Sequence, residues 1–192
     1  MEGHRLSLPR IEKQRLGVTG HPMPRQYMQP GEQAVLLRLV GSVEPRVMVE
    51  IGVNIGLTAK AVLRDVRTIE RYIGIDVGID YEFEIPAQQI ERPVHPGLLV
   101  KHDPRFELWI RGREMPHPLS ADVVFIDGDH GREQVAQDTQ WATKVTDRGG
   151  LIVWHDYGNP ATPDVREVLN ELRAGGRNIR RVVGTWIAFE RC

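Results

Sequence analysis

The sequence predicts an α/β protein built on a doubly wound sheet, mostly parallel with an antiparallel end. Three observations predict it. Short apolar runs alternate with segments of helical period from residue 46 onward. Nearly every apolar run ends in an acid. The last two runs, in RRVVGTWIAFE, have only a glycine-centred turn between them. Strands joined through helices run parallel and are covered on both faces, whereas strands joined by a tight turn run antiparallel.

The elements follow in order. Residues 1–30 are rich in Pro, Arg and His and show no sustained period, so they read as an arm preceding a single domain over 31–192. In GEQAVLLRLVG (31–41), Val35, Leu36, Leu39 and Val40 recur at helical spacing. RVMVEIG (46–52) is the first strand and GLTAKAVLRDV (56–66) a helix. RYIGID (71–76) is the second strand, and 77–95 is ambiguous. GLLVKHD (97–103) reads as the third strand, with a short helix over 105–113. ADVVFID (121–127) is the fourth strand. The helix REQVAQDTQWATKV (132–145) is stopped by a glycine pair, and LIVWHD (151–156) is the fifth strand. Pro163 opens a helix with Val165, Val168, Leu169 and Leu172 on one face.

Composition removes several classes of function. The 192 residues suit one domain, and 41% hydrophobic with 27% charged is an ordinary globular balance. The net charge of −1 gives no electrostatic footprint for nucleic acid. Cys192 is the only cysteine, which leaves no intrachain disulfide and no cysteine zinc site. With no apolar run of spanning length and no signal-like start, the expectation is a cytoplasmic protein away from membranes.

Ligands of such sheets bind beyond the carboxyl ends of the strands. Five acids fall there in register: Glu50, Asp76, Asp103, Asp127 and Asp156. Gly52 and Gly56 flank the first turn, where glycine permits a sharp bend and close approach to a ligand. The pattern E-x-G-x-x-x-G carries Asn54 where a pyrophosphate-binding G-x-G-x-x-G would have its second glycine. Asp76 suits a ribose diol. Together these residues describe a nucleoside ligand without a diphosphate. Asp127 and Asp156 end neighbouring strands about 4.8 Å apart, and a divalent cation would relieve their repulsion. Oxygen ligands favour Mg²⁺, Ca²⁺ or Mn²⁺, while His155 would move the preference towards Mn²⁺, Fe²⁺ or Zn²⁺. Asp129 and His130 are alternatively caps of the helix near 132, and Tyr157 faces either substrate or the sheet. His155 and Asp156, being adjacent, are expected on opposite faces, with Asp156 in the site.

At "VEIGVNIG" and "YIGID" the sequence resembles the class I S-adenosylmethionine-dependent methyltransferases. "FIDGDH" followed by "GGLIVWHDY" resembles their small-molecule O-methyltransferase-like subset, which includes macrocin-type enzymes and cephalosporin-hydroxylase-like proteins. The resemblance covers roughly residues 30 to 190. It implies a Rossmann-like sheet of order 3-2-1-4-5-7-6. It places Glu50, Gly52, Asn54 and Gly56 around the methionine part of S-adenosylmethionine, Asp76 on the ribose, and Asp103 near the adenine, with Asp127 bordering the same site. It also implies a metal, with Mg²⁺ or Mn²⁺ as candidates, on Asp127, Asp156 and His155. This chain departs from the pattern at Pro104, where a small hydroxyl residue is common, and at His155, where an acid is usual.

The implied reaction is metal-assisted O-methylation of a small hydroxylated molecule, with His130 or His155 as the base. The competing readings are an NAD-dependent oxidoreductase, a nucleic-acid methyltransferase and a non-catalytic interaction protein. A homodimer through the 31–41 helix and the arm is a further expectation.

Overall fold

The computed structural model describes residues 10–12, 28–29, 31–78, 80–83, 95–111 and 120–192. Its strands are β1 (Arg10–Glu12), β2 (Val47–Ile51), β3 (Arg71–Val77), β4 (Phe106–Arg111), β5 (Ala121–Ile126), β6 (Thr146–Trp154), β7 (Arg180–Val183) and β8 (Ala188–Arg191). Its helices are α1 (Glu32–Gly41), α2 (Leu57–Asp65), α3 (Arg132–Val145) and α4 (Pro163–Ala174). The sheet order is β1-β7-β8-β6-β5-β2-β3-β4. Counted from β2 as the first strand, this is the order 3-2-1-4-5-7-6. Only β8 runs antiparallel to its neighbours, β6 and β7. Residues 10–12, within the stretch read as an arm, add β1 parallel to β7 at the sheet edge. The remainder of 1–27 lies outside the described residues.

Two apolar layers follow from the two-residue period of the strands. Val49, Ile51, Ile73, Ile75, Val124, Ile126, Ile152 and Trp154 point to the face covered by α3 and α4. Met48, Tyr72, Val123, Phe125, Leu151 and Val153 point to the face covered by α1 and α2. The apolar stripe of α1 is buried here, with Val35, Leu36 and Val40 at 0% exposure.

One stretch differs from the sequence expectation. Residues 97–103 form turns rather than the third strand, and 106–111 form a strand rather than a helix. Local density of apolar residues suggested the first, but Leu98 and Leu99 are exposed. The period decides the second: Phe106, Leu108 and Ile110 alternate with Glu107, Trp109 and Arg111, and the run pairs in register with Tyr72–Val77. A two-pronged ion pair from Arg71 to Glu107, at 2.9 and 2.8 Å, holds that register. Gly97, at φ +68°, breaks the earlier run and receives the Phe106 ring.

Candidate active site

The turn after β2 shapes one wall. A Cβ on Gly52 would collide with the carbonyl of Asp127, and its φ of +87° is strained for any other residue. Gly56, at φ +91°, begins α2. Asn54 is also left-handed, at φ +47°. Its N–H donates to Asp76 Oδ2 at 2.7 Å, and the Val77 N–H donates to Asp76 Oδ1 at 2.8 Å. Glu50 is almost wholly buried and accepts from Tyr72 Oη at 2.7 Å. Burial pushes its carboxyl well above the usual range.

Asp103 does not join this wall. It sits at the amino end of β4, clamped by Arg105 at 2.7 Å, while Arg105 also donates to the Leu63 carbonyl at the far end of α2. The misplaced strand put it at the wrong edge of the sheet. The residue that does reach the carboxyl end of β4 is Arg111. It pairs at 2.7 Å with Asp138, a fully buried acid that also accepts from Gln134 at 2.8 Å. Tyr81 and Phe83 stack edge to face at 5.0 Å beside it.

The opposite wall is the turn after β5 with the end of β6. Asp129 Oδ1 accepts from the Gly131 N–H at 2.8 Å, and its Oδ2 accepts from Tyr81 Oη at 2.8 Å. It therefore braces the turn into α3 and takes the local role weighed from sequence. Tyr157 is buried and donates to Asn170 at 3.0 Å, which ties it to α4.

His155 and Asp156 both reach the cavity. The expectation of opposite faces fails because β6 ends at Trp154 and Asp156 is left-handed, at φ +61°, so strand parity no longer applies. His155 Nδ1 lies 3.1 Å from Asp127 Oδ1 and 3.0 Å from Asp156 Oδ2. Its Nε2 lies 3.0 Å from Glu32 Oε2. His130 Nε2 lies 2.8 Å from Asp156 Oδ2, and Asn159 Nδ2 donates to Asp156 Oδ1 at 2.7 Å. Burial opposes charge on both histidines, but the carboxylates outweigh it. The pKa of His130 is raised, and that of His155 stands well above the usual imidazole value. Burial likewise opposes charge on Asp156, yet the two histidines hold its carboxyl well below the usual range.

Sequence reasoning missed Glu32. It is fully buried and accepts from the backbone N–H groups of Gln29, at 2.6 Å, and Trp186. A signal was present: Glu32 lies three, four and seven residues before Val35, Leu36 and Leu39, on the apolar face of its helix.

Glu50, Gly52, Asn54, Asp76, Asp127, His130, His155 and Asp156 line one cavity of about 170 Å³, with Tyr81, Phe83 and Arg111 at another part of its wall. Gly56 lies just behind it. The cavity has an acid beneath a glycine turn, an aromatic corner, and a histidine–carboxylate cluster. That set suits a nucleoside bearing a cationic centre. Asp127, His130 and Asp156 also offer ligand atoms within 4.8 Å of one another, a grouping that excludes His155. Among the described residues, no helix is long and apolar enough to cross a membrane.

Comparison with known proteins bears on this geometry. A family model described as a methyltransferase domain matches residues 49–157. An uncharacterized protein of Acanthamoeba polyphaga mimivirus is 33% identical over 63 residues, which are 30% of this chain and only 28% of the viral protein. An O-methyltransferase from Bacillus cereus, solved in complex with SAH, superposes with a TM-score of 0.59 at 18% identity, over 88% of this chain and 84% of its own. Cofactor-bound Rv0187 from MTB gives 0.61 at 18% identity, over 93% and 84%. The O-methyltransferase TomG from Streptomyces achromogenes, in complex with SAM, gives 0.55 at 16%, over 87% and 81%. At these identities the structural likeness is one of fold. With its turn, strand-end acids and fifth strand all inside the matched span, the chain belongs to the methyltransferase domain family, and it has the class I fold that its motifs led us to expect.

Proposed function

We propose that the protein transfers a methyl group from S-adenosylmethionine to a hydroxyl oxygen of a small polyhydroxylated molecule. The observation that carries this reading is one cavity lined both by Asp76 and by His130, which is held against Asp156. The cosubstrate supplies an activated methyl on a positively charged sulfur. Asp76, at the carboxyl end of β3 and lining the cavity, accepts hydrogen bonds from its ribose hydroxyls. Tyr81, Phe83 and Arg111 take the adenine in place of Asp103. Asp127 and Asp156 give the methyl-bearing end a negative surround.

His130 acts as the base. Once it has released its own proton, it takes one from the acceptor hydroxyl. The positive charge that forms on its ring is stabilised by Asp156 and Asp127. The oxygen then forms its bond to the methyl carbon as the carbon–sulfur bond breaks. The protein's main contribution is to hold the two reactants in line.

A divalent ion does not fit the expected ligands as they stand. Asp127 Oδ1 and both oxygens of Asp156 are already engaged by His155, His130 and Asn159. Both ring nitrogens of His155 face carboxylates, so neither is available to a metal. Among the described residues, Asp127, His130 and Asp156 are the ones that would hold such an ion, which would supply an acidified acceptor hydroxyl.

The test is titration calorimetry with S-adenosylmethionine and its demethylated product, with NADH as control. Micromolar binding of the sulfur nucleosides is expected, with none of NADH. Asp76→Ala should weaken it roughly tenfold to a hundredfold, the worth of hydrogen bonds to a charged group. A folded protein that binds neither sulfur nucleoside would sink the proposal in favour of a non-catalytic interaction role, and NADH binding alone would favour an oxidoreductase.

A further inference from the structure

We propose that the Gln33 carboxamide is a specificity-determining group of the cavity, and that it binds a second hydroxyl of the methyl acceptor, next to the one that reacts. This rests on the methyl-transfer reading and deepens it. The starting observation is a polar side chain at an apolar position. Gln33 stands three and seven residues before Leu36 and Val40, on the buried stripe of α1. It is 8% exposed. A leucine at that spacing would continue the stripe. The side chain instead lines the cavity, together with Met28.

The first turn of α1 fixes where that side chain stands. Glu32, its neighbour in the chain, accepts from the Gln29 N–H at 2.6 Å and lies 3.0 Å from His155 Nε2. Gln33 therefore enters the cavity on the side where α1 meets His155. The charged groups there answer one another: His130 and His155 stand against Asp156, and His155 against Asp127. The Gln33 carboxamide, by contrast, has no hydrogen-bond partner among the described residues. A buried amide without a partner carries a desolvation cost, and a ligand that hydrogen-bonds it removes that cost.

The chemistry of the group selects the ligand. A carboxamide donates through its N–H groups and accepts through its oxygen, so it matches a hydroxyl, which does both. The cationic centres of the cosubstrate are answered by the carboxylates of Asp127 and Asp156, which leaves the neutral amide to a neutral group. A site that hydrogen-bonds a hydroxyl also rejects the analogue lacking it, because its own polar group is then left unpaired. The selecting residue comes from α1, outside the span 49–157 matched by the family model.

The test uses full-length protein saturated with S-adenosylhomocysteine and two pairs of probes: a vicinal cis-cyclohexanediol with cyclohexanol, and catechol with phenol. The Gln33 side-chain amide signals in nitrogen NMR are assigned by their absence from Gln33→Leu. One of the diols should shift them and bind roughly tenfold more tightly than its single-hydroxyl counterpart. Gln33→Leu should bring that diol down to the affinity of its counterpart and leave S-adenosylhomocysteine binding unchanged. It should melt no lower than wild type, because it removes an unpartnered amide from a buried position. Three results would overturn the proposal: amide signals moved by S-adenosylhomocysteine and by no diol, which would make Gln33 a cosubstrate contact; amide signals moved by nothing; or a diol preference that survives Gln33→Leu. Calorimetry on the same samples separates the two proposals. A folded wild type that does not bind S-adenosylhomocysteine sinks both, whereas binding with an unmoved Gln33 amide sinks only this one.

Discussion

His130 and His155 are both raised in pKa, with Asp127 and Asp156 acting on each, but they differ in where they stand. His155 has acids at both ring nitrogens. His130 lines the cavity and meets Asp156 through Nε2. A base must first be unprotonated, so kcat/KM should rise with pH through a midpoint above the ordinary imidazole value of about 6.5. His130→Gln should lower kcat by roughly a hundredfold to ten-thousandfold and remove that limb from the profile. A variant that keeps the limb would assign it to another group. Part of this was legible in "FIDGDH" and "WHDY". The division of labour was not, because it depends on Glu32, which lies 123 residues from His155 in the chain.

At the scale of elements, β4 shows how local composition and pairing compete. Residues 97–103 gather their apolar side chains into one run, Leu98 to Val100, yet it is 106–111, with Phe106, Leu108 and Ile110 at every second position, that pairs with β3. Placing β4 correctly also puts Arg111 at the cavity. There it meets Asp138 from α3, whose carboxyl burial pushes upward against the opposing pull of Arg111. Arg111→Met would leave that carboxyl buried without its cation. The expected loss is about 3–5 kcal/mol, read from urea unfolding. Asp138→Asn in the same background should recover part of it, since a neutral amide is cheaper to bury. A loss of Arg111 that left stability unchanged would mean the pair contributes nothing net.

For the whole molecule, the charged cluster predicts how stability changes with pH. His130 and His155 have folded pKa values above their unfolded ones. Their contribution is fully present below about 6.5 and is lost as pH rises through the folded values. Glu50, whose carboxyl burial pushes upward, moves in the same direction, because ionising it as pH rises costs stability. Asp156 has a depressed folded value, so its contribution is present above about 3.9 and is lost as pH falls. The melting temperature should therefore fall on going from neutral to alkaline pH, and His155→Gln should flatten that fall. A level alkaline limb in wild type would show that the histidines are not charged in the fold.

The sequence by itself determined the sheet and the location of the site. Apolar runs of strand length, helical periods between them and a terminal pair without a helix leave one economical topology. Parallel strands then deliver the acids at their ends to a common edge. Tertiary structure decided which of those acids meet and what state they are in. Asp103 was lost to the far edge by the pairing of β4. Asp156 was turned back towards His155 by a single left-handed residue. Glu32 came to His155 on a helix 123 residues earlier in the chain. Spacing along a chain reports periods and ends. A buried carboxylate's partners are set by which segments close over it, and that is settled only when the helices pack on the sheet.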